Sequence, residues 1–153
     1  MTGIIYQPRT IHNIRNTDRY LLGQPENKFV VVEGIVAAFK VQETPYEENS
    51  SMSKEQWENI HGSGLVVGFL YCGTVYNYSG FLHFSARTPK NDHTGETSDL
   101  AMILEASKTT SQHVRMEGEI QVYDPPRMWL HRVYLTDGFS YTTQQGHKAN
   151  REQ

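Results

Sequence analysis

Apolar positions along the chain alternate with polar ones at two different periods, and the changes of period divide it into elements. From Lys28 to Val41, KFVVVEGIVAAFKV places Val30, Val32, Gly34 and Val36 on one face at period two, the mark of a strand with one buried side. Gly34 in mid-strand predicts a bulge or a sharp coil there. Leu65–Tyr76, LVVGFLYCGTVY, and Phe81–Thr88, FLHFSART, read as two strands joined through the turn-forming NYSG. In the second of these, Leu82, Phe84 and Ala86 are expected inside and Phe81, His83, Ser85 and Arg87 outside. TSDLAMILEASKTT changes to helical spacing at Leu100, Ile103 and Leu104, with Thr97 or Ser98 as cap. HVRMEGEIQVYD returns to period two, Val114, Met116, Gly118, Ile120 and Val122 against Arg115, Glu117, Glu119, Gln121 and Tyr123. After Pro125 and Pro126, MWLHRVYL alternates Trp129, His131, Val133 and Leu135 with Met128, Leu130, Arg132 and Tyr134.

Between these elements lie segments without such patterning. Residues 1–27 are polar and turn-rich, carry Arg9, Arg15 and Arg19, and read as a mildly basic arm. Residues 139–153 read as a flexible tail, leaving 28–138 as the folded domain. Residues 42–64 form an acidic insertion with five Glu and one Lys, where Ser53 and Gln56 have capping-box spacing. An insertion of that length is either a solvated flap or a functional loop, with Trp57, Glu47 and Glu48 as its candidate contact residues.

The order is strand, long insertion, strand, strand, helix, strand, strand, with a glycine-broken first strand. It resembles the OB-fold, a five-stranded barrel with a helix between strands 3 and 4. The fold class expected is therefore mainly β, an OB-type barrel with the acidic insertion between strands 1 and 2. The stretch from Leu100 to Leu135, a helix followed by paired strands, also resembles the OB-type B-subunits of bacterial AB5 toxins, which would imply an oligomeric glycan-binding module. It departs from that secreted family in lacking a visible signal and a cysteine pair.

Composition narrows the chemistry. With 153 residues the chain suits one domain, and 17 acidic against 14 basic residues give no global positive field, so polyanion binding would have to be local. Cys72 is the single cysteine, expected as core filler, which excludes an internal disulfide. No apolar stretch suits a signal peptide or a membrane span, which implies a cytoplasmic protein or a mature chain whose targeting segment has been removed.

Candidate catalytic groups each have a plainer structural reading. His12, His61, His83, His93, His113, His131 and His147 show no ligand spacing for a metal, and Asp92 with His93 lacks a third ligand. The chain has no G-x-S-x-G elbow, and its Gly-rich pieces lack the lysine of a phosphate loop. Glu117 and Glu119 share a strand face as solubilising charges. No catalytic residue, metal or cofactor is expected.

The OB-fold usually binds through strands 2 and 3 and the loops joining strands 1–2 and 4–5. The resemblance therefore implies Tyr76, Tyr78, Phe81, His83 and Arg87 on the face, with Arg127 at the turn. Rings interleaved with cations suit single-stranded nucleic acid. A glycan would use the same rings without net positive charge, and a protein partner or homo-oligomer would use the sheet edges and the acidic flap.

Overall fold

A computed structural model describes residues 3–43, 51–56, 64–72, 80–88, 99–136 and 138–143. Its elements are β1 (Gln7–Pro8), α1 (Ile11–Asn16), α2 (Arg19–Leu22), β2 (Phe29–Glu43), β3 (Gly64–Tyr71), β4 (Phe81–Thr88), α3 (Asp99–Thr110), β5 (Val114–Gln121), β6 (Arg127–Leu135) and β7 (Ser140–Thr142). Among the described residues, no helix is long and apolar enough to cross a membrane.

The barrel closes because β2 is long enough to serve two partners. Its first part, Phe29–Gly34, pairs antiparallel with β5, and Ile35–Glu43 pairs antiparallel with β3. The ring continues β3–β4, then β4–β6 in parallel, then β6–β5. This is the expected five-stranded OB-type barrel, with α3 between its third and fourth strands.

Gly34 stands where β2 changes partner. A Cβ there would press on the Tyr71 carbonyl oxygen and on Leu70 Cγ, so the residue permits a close approach of backbones. Of the bulge or sharp coil expected at Gly34, the register shift lies further along, between Val36 and Ala38. The buried Ser107 hydroxyl of α3 accepts from the Val36 N–H at 3.0 Å and donates to the Gln112 carbonyl at 2.7 Å. The bulge and the helix thus share one satisfied polar group in the core.

The inward faces of β2, β4 and β5 are those the alternation indicates: Val30, Val32 and Val36, then Leu82, Phe84 and Ala86, then Val114, Met116 and Ile120 are buried, and α3 adds Leu100, Ile103 and Leu104. Val122 is exposed instead, because β5 ends at Gln121. In β6 a straight alternation fails. Glu117 of β5 faces Arg132 and Gly118 faces Leu130, so His131 is an extra residue. The bulge switches the inward set from Met128 and Leu130 to Val133 and Leu135, and buries His131 as well. Cys72 is exposed where the chain leaves β3, not core filler.

The described residues of the segments read as arm and tail, 3–27 and 139–143, pack on the barrel. Thr10 caps α1 by accepting from the Asn13 N–H, and Asp18 caps α2 by accepting from the Tyr20 and Leu21 N–H groups. Ile11, Ile14 and Leu22 then join the core. β1 pairs with Val30 and Val31 on the edge of β2 opposite β5, and β7 pairs with Arg132–Tyr134 on the edge of β6 beyond the reach of β4. Both cover strand edges that a five-stranded ring leaves open. Of the insertion, the Ser53–Gln56 capping box is formed, with Gln56 N–H donating to Ser53 Oγ at 3.2 Å and Ser53 N–H to Gln56 Oε1 at 3.1 Å. Glu47, Glu48 and Trp57 lie outside the described residues. α3 and the β5–β6 pair hold the places that any barrel of this connectivity gives them, so the stretch from Leu100 to Leu135 does not single out the AB5 toxins.

Candidate functional site

Strand register brings a row of side chains together on the outer face of the barrel. Phe69 of β3 lies opposite His83 of β4, Tyr71 lies opposite Phe81, and His83 in turn pairs with Arg127 at the start of β6. Because side chains alternate, Phe69, Phe81 and His83 all leave the sheet on the side away from Leu82 and Phe84. The Phe69 and His83 rings stack, with centroids 4.8 Å apart and planes 15° apart. Phe81 meets Phe69 edge-on at 6.3 Å and packs against Tyr71 at 5.8 Å. Phe69 remains 44% exposed, an unusual position for a large ring with partners on both sides.

Two concavities flank the stacked pair. A cavity of about 440 Å³ is lined by Arg15, Phe69, Phe81, His83, Pro125 and Arg127. A shallower one of about 200 Å³ shares Phe69 and His83 and continues over Ala38, Lys40 and Val67. Arg15 comes from α1, where its guanidinium donates to the Phe81 carbonyl at 3.3 Å. The lining residues of both cavities carry three cationic side chains and no carboxylate among those described. On a chain whose net charge is −3 this is a local reversal of sign.

Burial holds the His83 imidazole below its ordinary pKa, and the neighbouring Arg127 charge pushes it the same way. At neutral pH the ring is therefore uncharged, with one nitrogen a donor and the other an acceptor. Arg127 also lies over Tyr123, its guanidinium carbon 4.9 Å from the ring centroid, and Tyr123 is 54% exposed.

Of the residues expected at a site, Phe81, His83 and Arg127 are brought together. Arg87 leaves the same face of β4 but sits apart from the cavity, over Trp129 at 5.7 Å. Tyr76 and Tyr78 lie outside the described residues. Phe69, Lys40 and Arg15 also line the cavities, and none of them is marked as a site residue by the sequence. Phe69 sits in LVVGFLY, apolar on both faces, so no alternation marks it, whereas the rule that places Phe81 and His83 outward also places their register partners outward. Arg15 needed the tertiary packing of α1.

A second polar cluster surrounds His131. The Tyr6 hydroxyl lies 2.8 Å from Nδ1 of the buried His131. Burial, with the charges of Glu117 and Glu119, pushes the Tyr6 pKa up to about 12, so the hydroxyl keeps its proton at neutral pH. Burial lowers the His131 pKa while Glu119 opposes this. Glu119 pairs with Lys28 at 3.4 Å and Glu117 accepts from the Tyr134 hydroxyl at 3.5 Å. Among the described residues no three His, Cys, Asp or Glu side chains gather as a metal site.

The sequence matches no known protein-family pattern and no curated protein. Among solved structures, the chain is similar to one in the crystal structure of the S. pombe Stn1-ten1 complex, with 11% identity and a TM-score of 0.44, over 97% of this chain and 88% of that one. The fold is read from the barrel's own connectivity.

Proposed function

We propose that the outer face formed by β2, β3, β4 and the start of β6 binds single-stranded nucleic acid, and that the protein acts by binding rather than by catalysis. One observation carries this reading: an exposed aromatic stack, Phe69 on His83, flanked by Arg15 and Arg127 on one side and Lys40 on the other, with no carboxylate among the described lining residues. Unpaired bases stack on such rings regardless of sequence, and the cations follow the phosphates. A duplex keeps its base faces covered and offers this platform nothing to stack on. A glycan would also stack on the rings, but the polar groups beside them are mostly cations, which favours phosphate. Tyr76 and Tyr78, which follow β3 in the chain, are proposed as further contacts, and Arg87 of β4 with Trp129 of β6 as the continuation of the face.

Fluorescence anisotropy of a labelled oligo-dT across a salt series tests the reading. Three phosphate contacts, one each for Arg15, Lys40 and Arg127, predict a log K against log salt slope of about −2. Absence of salt-sensitive binding at micromolar protein overturns it.

A further inference from the structure

Resting on the nucleic-acid reading, we propose that the cavity between α1, β4 and β6 is a phosphate subsite, in which Arg15 and Arg127 hold one backbone phosphate and His83 takes up a proton as that phosphate arrives. The three side chains come from three elements and line one cavity of about 440 Å³, within the range of small-ligand pockets of about 300–1,000 Å³. Arg15 is set in advance, since α1 is anchored in the core by Ile11 and Ile14 and the guanidinium is held to the Phe81 carbonyl. Little ordering therefore remains to be done on binding.

Burial and the charges around His83 set the ease with which it takes a proton. Across the sheet from it stands Arg127, α1 contributes Arg15, and β2 contributes Lys40 in the adjoining cavity. Phe69 on β3 is uncharged, and Arg87 is four residues along β4. Asp124, next to the lining Pro125, is bridged to Arg19 at 3.4 Å. In the free protein partial burial, and after it the Arg127 charge, disfavours a charged imidazole. A phosphate in the cavity offsets the field of both guanidiniums and favours the imidazolium. The His83 pKa is thus higher in the complex than in the free protein, and by linkage the affinity rises as pH falls between the two values. The transfer balances simply: one proton passes from solvent to the unprotonated ring nitrogen, and no bond in the ligand breaks.

The test measures the Kd of labelled oligo-dT at constant ionic strength, with calorimetry in buffers of different ionisation enthalpy. For the wild type, Kd should tighten by about threefold or more from about pH 7.5 to about pH 5.5, by no more than about tenfold per pH unit, with net proton uptake. His83→Gln should bind with a flat pH profile and no uptake. Arg15→Gln and Arg127→Gln should each weaken binding and reduce the salt slope by about 0.7. Arg15→Lys, which keeps the charge, should retain the slope even if Arg15→Gln disturbs α1. The His83 ring signals followed by NMR should shift with oligo-dT. If oligo-dT binds with the same pH profile in the wild type and His83→Gln, the subsite is wrong and the nucleic-acid reading stands. No oligo-dT binding at all overturns both. A His83 shift with inorganic phosphate but not with oligo-dT assigns the cavity to free phosphate and also overturns the proposal.

Discussion

Replacing Phe69 by alanine separates the binding face from the fold. The ring is 44% exposed and meets His83 and Phe81 on the outer surface, so about half of its area is already in water. A fully buried Phe→Ala change costs about 3–5 kcal/mol, and half-burial scales this to about 2 kcal/mol, which a domain of this size withstands. Binding loses one stacking surface, worth about 1–3 kcal/mol per base, or roughly 5- to 150-fold in Kd. Phe69 lines both cavities and supports the face of His83, so a loss of at least about tenfold is expected within that range. The ring has no charge, so the salt slope should stay near about −2. Anisotropy with labelled oligo-dT measures both quantities, and circular dichroism with a urea titration verifies the fold. A variant that folds normally and binds within about twofold of the wild type would refute the stacking platform. A changed salt slope would show that the substitution had moved the cations instead.

Three further outcomes follow from the barrel and its buried polar groups. Gly118→Ala should lose at least about 2 kcal/mol in urea unfolding, because a Cβ there would fall on the Trp129 carbonyl oxygen and crowd Met128 Cγ at the β5–β6 bulge; an unchanged midpoint would contradict the bulge. Tyr6→Phe should cost about 1–3 kcal/mol by leaving the buried His131 Nδ1 without its partner, and an ultraviolet titration of the wild type should show one tyrosine resisting ionisation until about pH 12 that this variant lacks. Stability should fall as pH drops through and below about 6.5, because His83 and His131 both have folded pKa values below the unfolded one and the unfolded chain then binds more protons. A urea midpoint that is constant from about pH 7 to about pH 5 would refute this, and His131→Gln should flatten the slope.

The candidate site was half legible before the structure. Period two places Phe81, His83 and Arg87 outside because Leu82, Phe84 and Ala86 between them are apolar. No such contrast exists in LVVGFLY, and an outward Phe69 there is invisible to alternation. Arg127 was legible as a turn residue beside two prolines. Its position across from His83 depends on a parallel pairing of β4 and β6, three residue pairs long, between segments about forty residues apart in the chain.

What the sequence determined by itself is the five barrel strands, the inward faces of β2, β4 and β5, a helix of three turns with Leu100, Ile103 and Leu104 on one stripe, and a glycine where the first strand changes partner. These are local properties, because the period of burial follows from backbone geometry within a single segment. The tertiary structure decided what lies between segments. It set the register shift at Val36–Ala38 rather than at Gly34, inserted His131 and so reversed the inward phase of β6, and used Gln7–Pro8 and Ser140–Thr142 to cover the free edges of β2 and β6. It also set Arg15, His83 and Arg127 around one cavity. Register and edge pairing are choices made by partners distant in the chain, and no single segment's pattern encodes them.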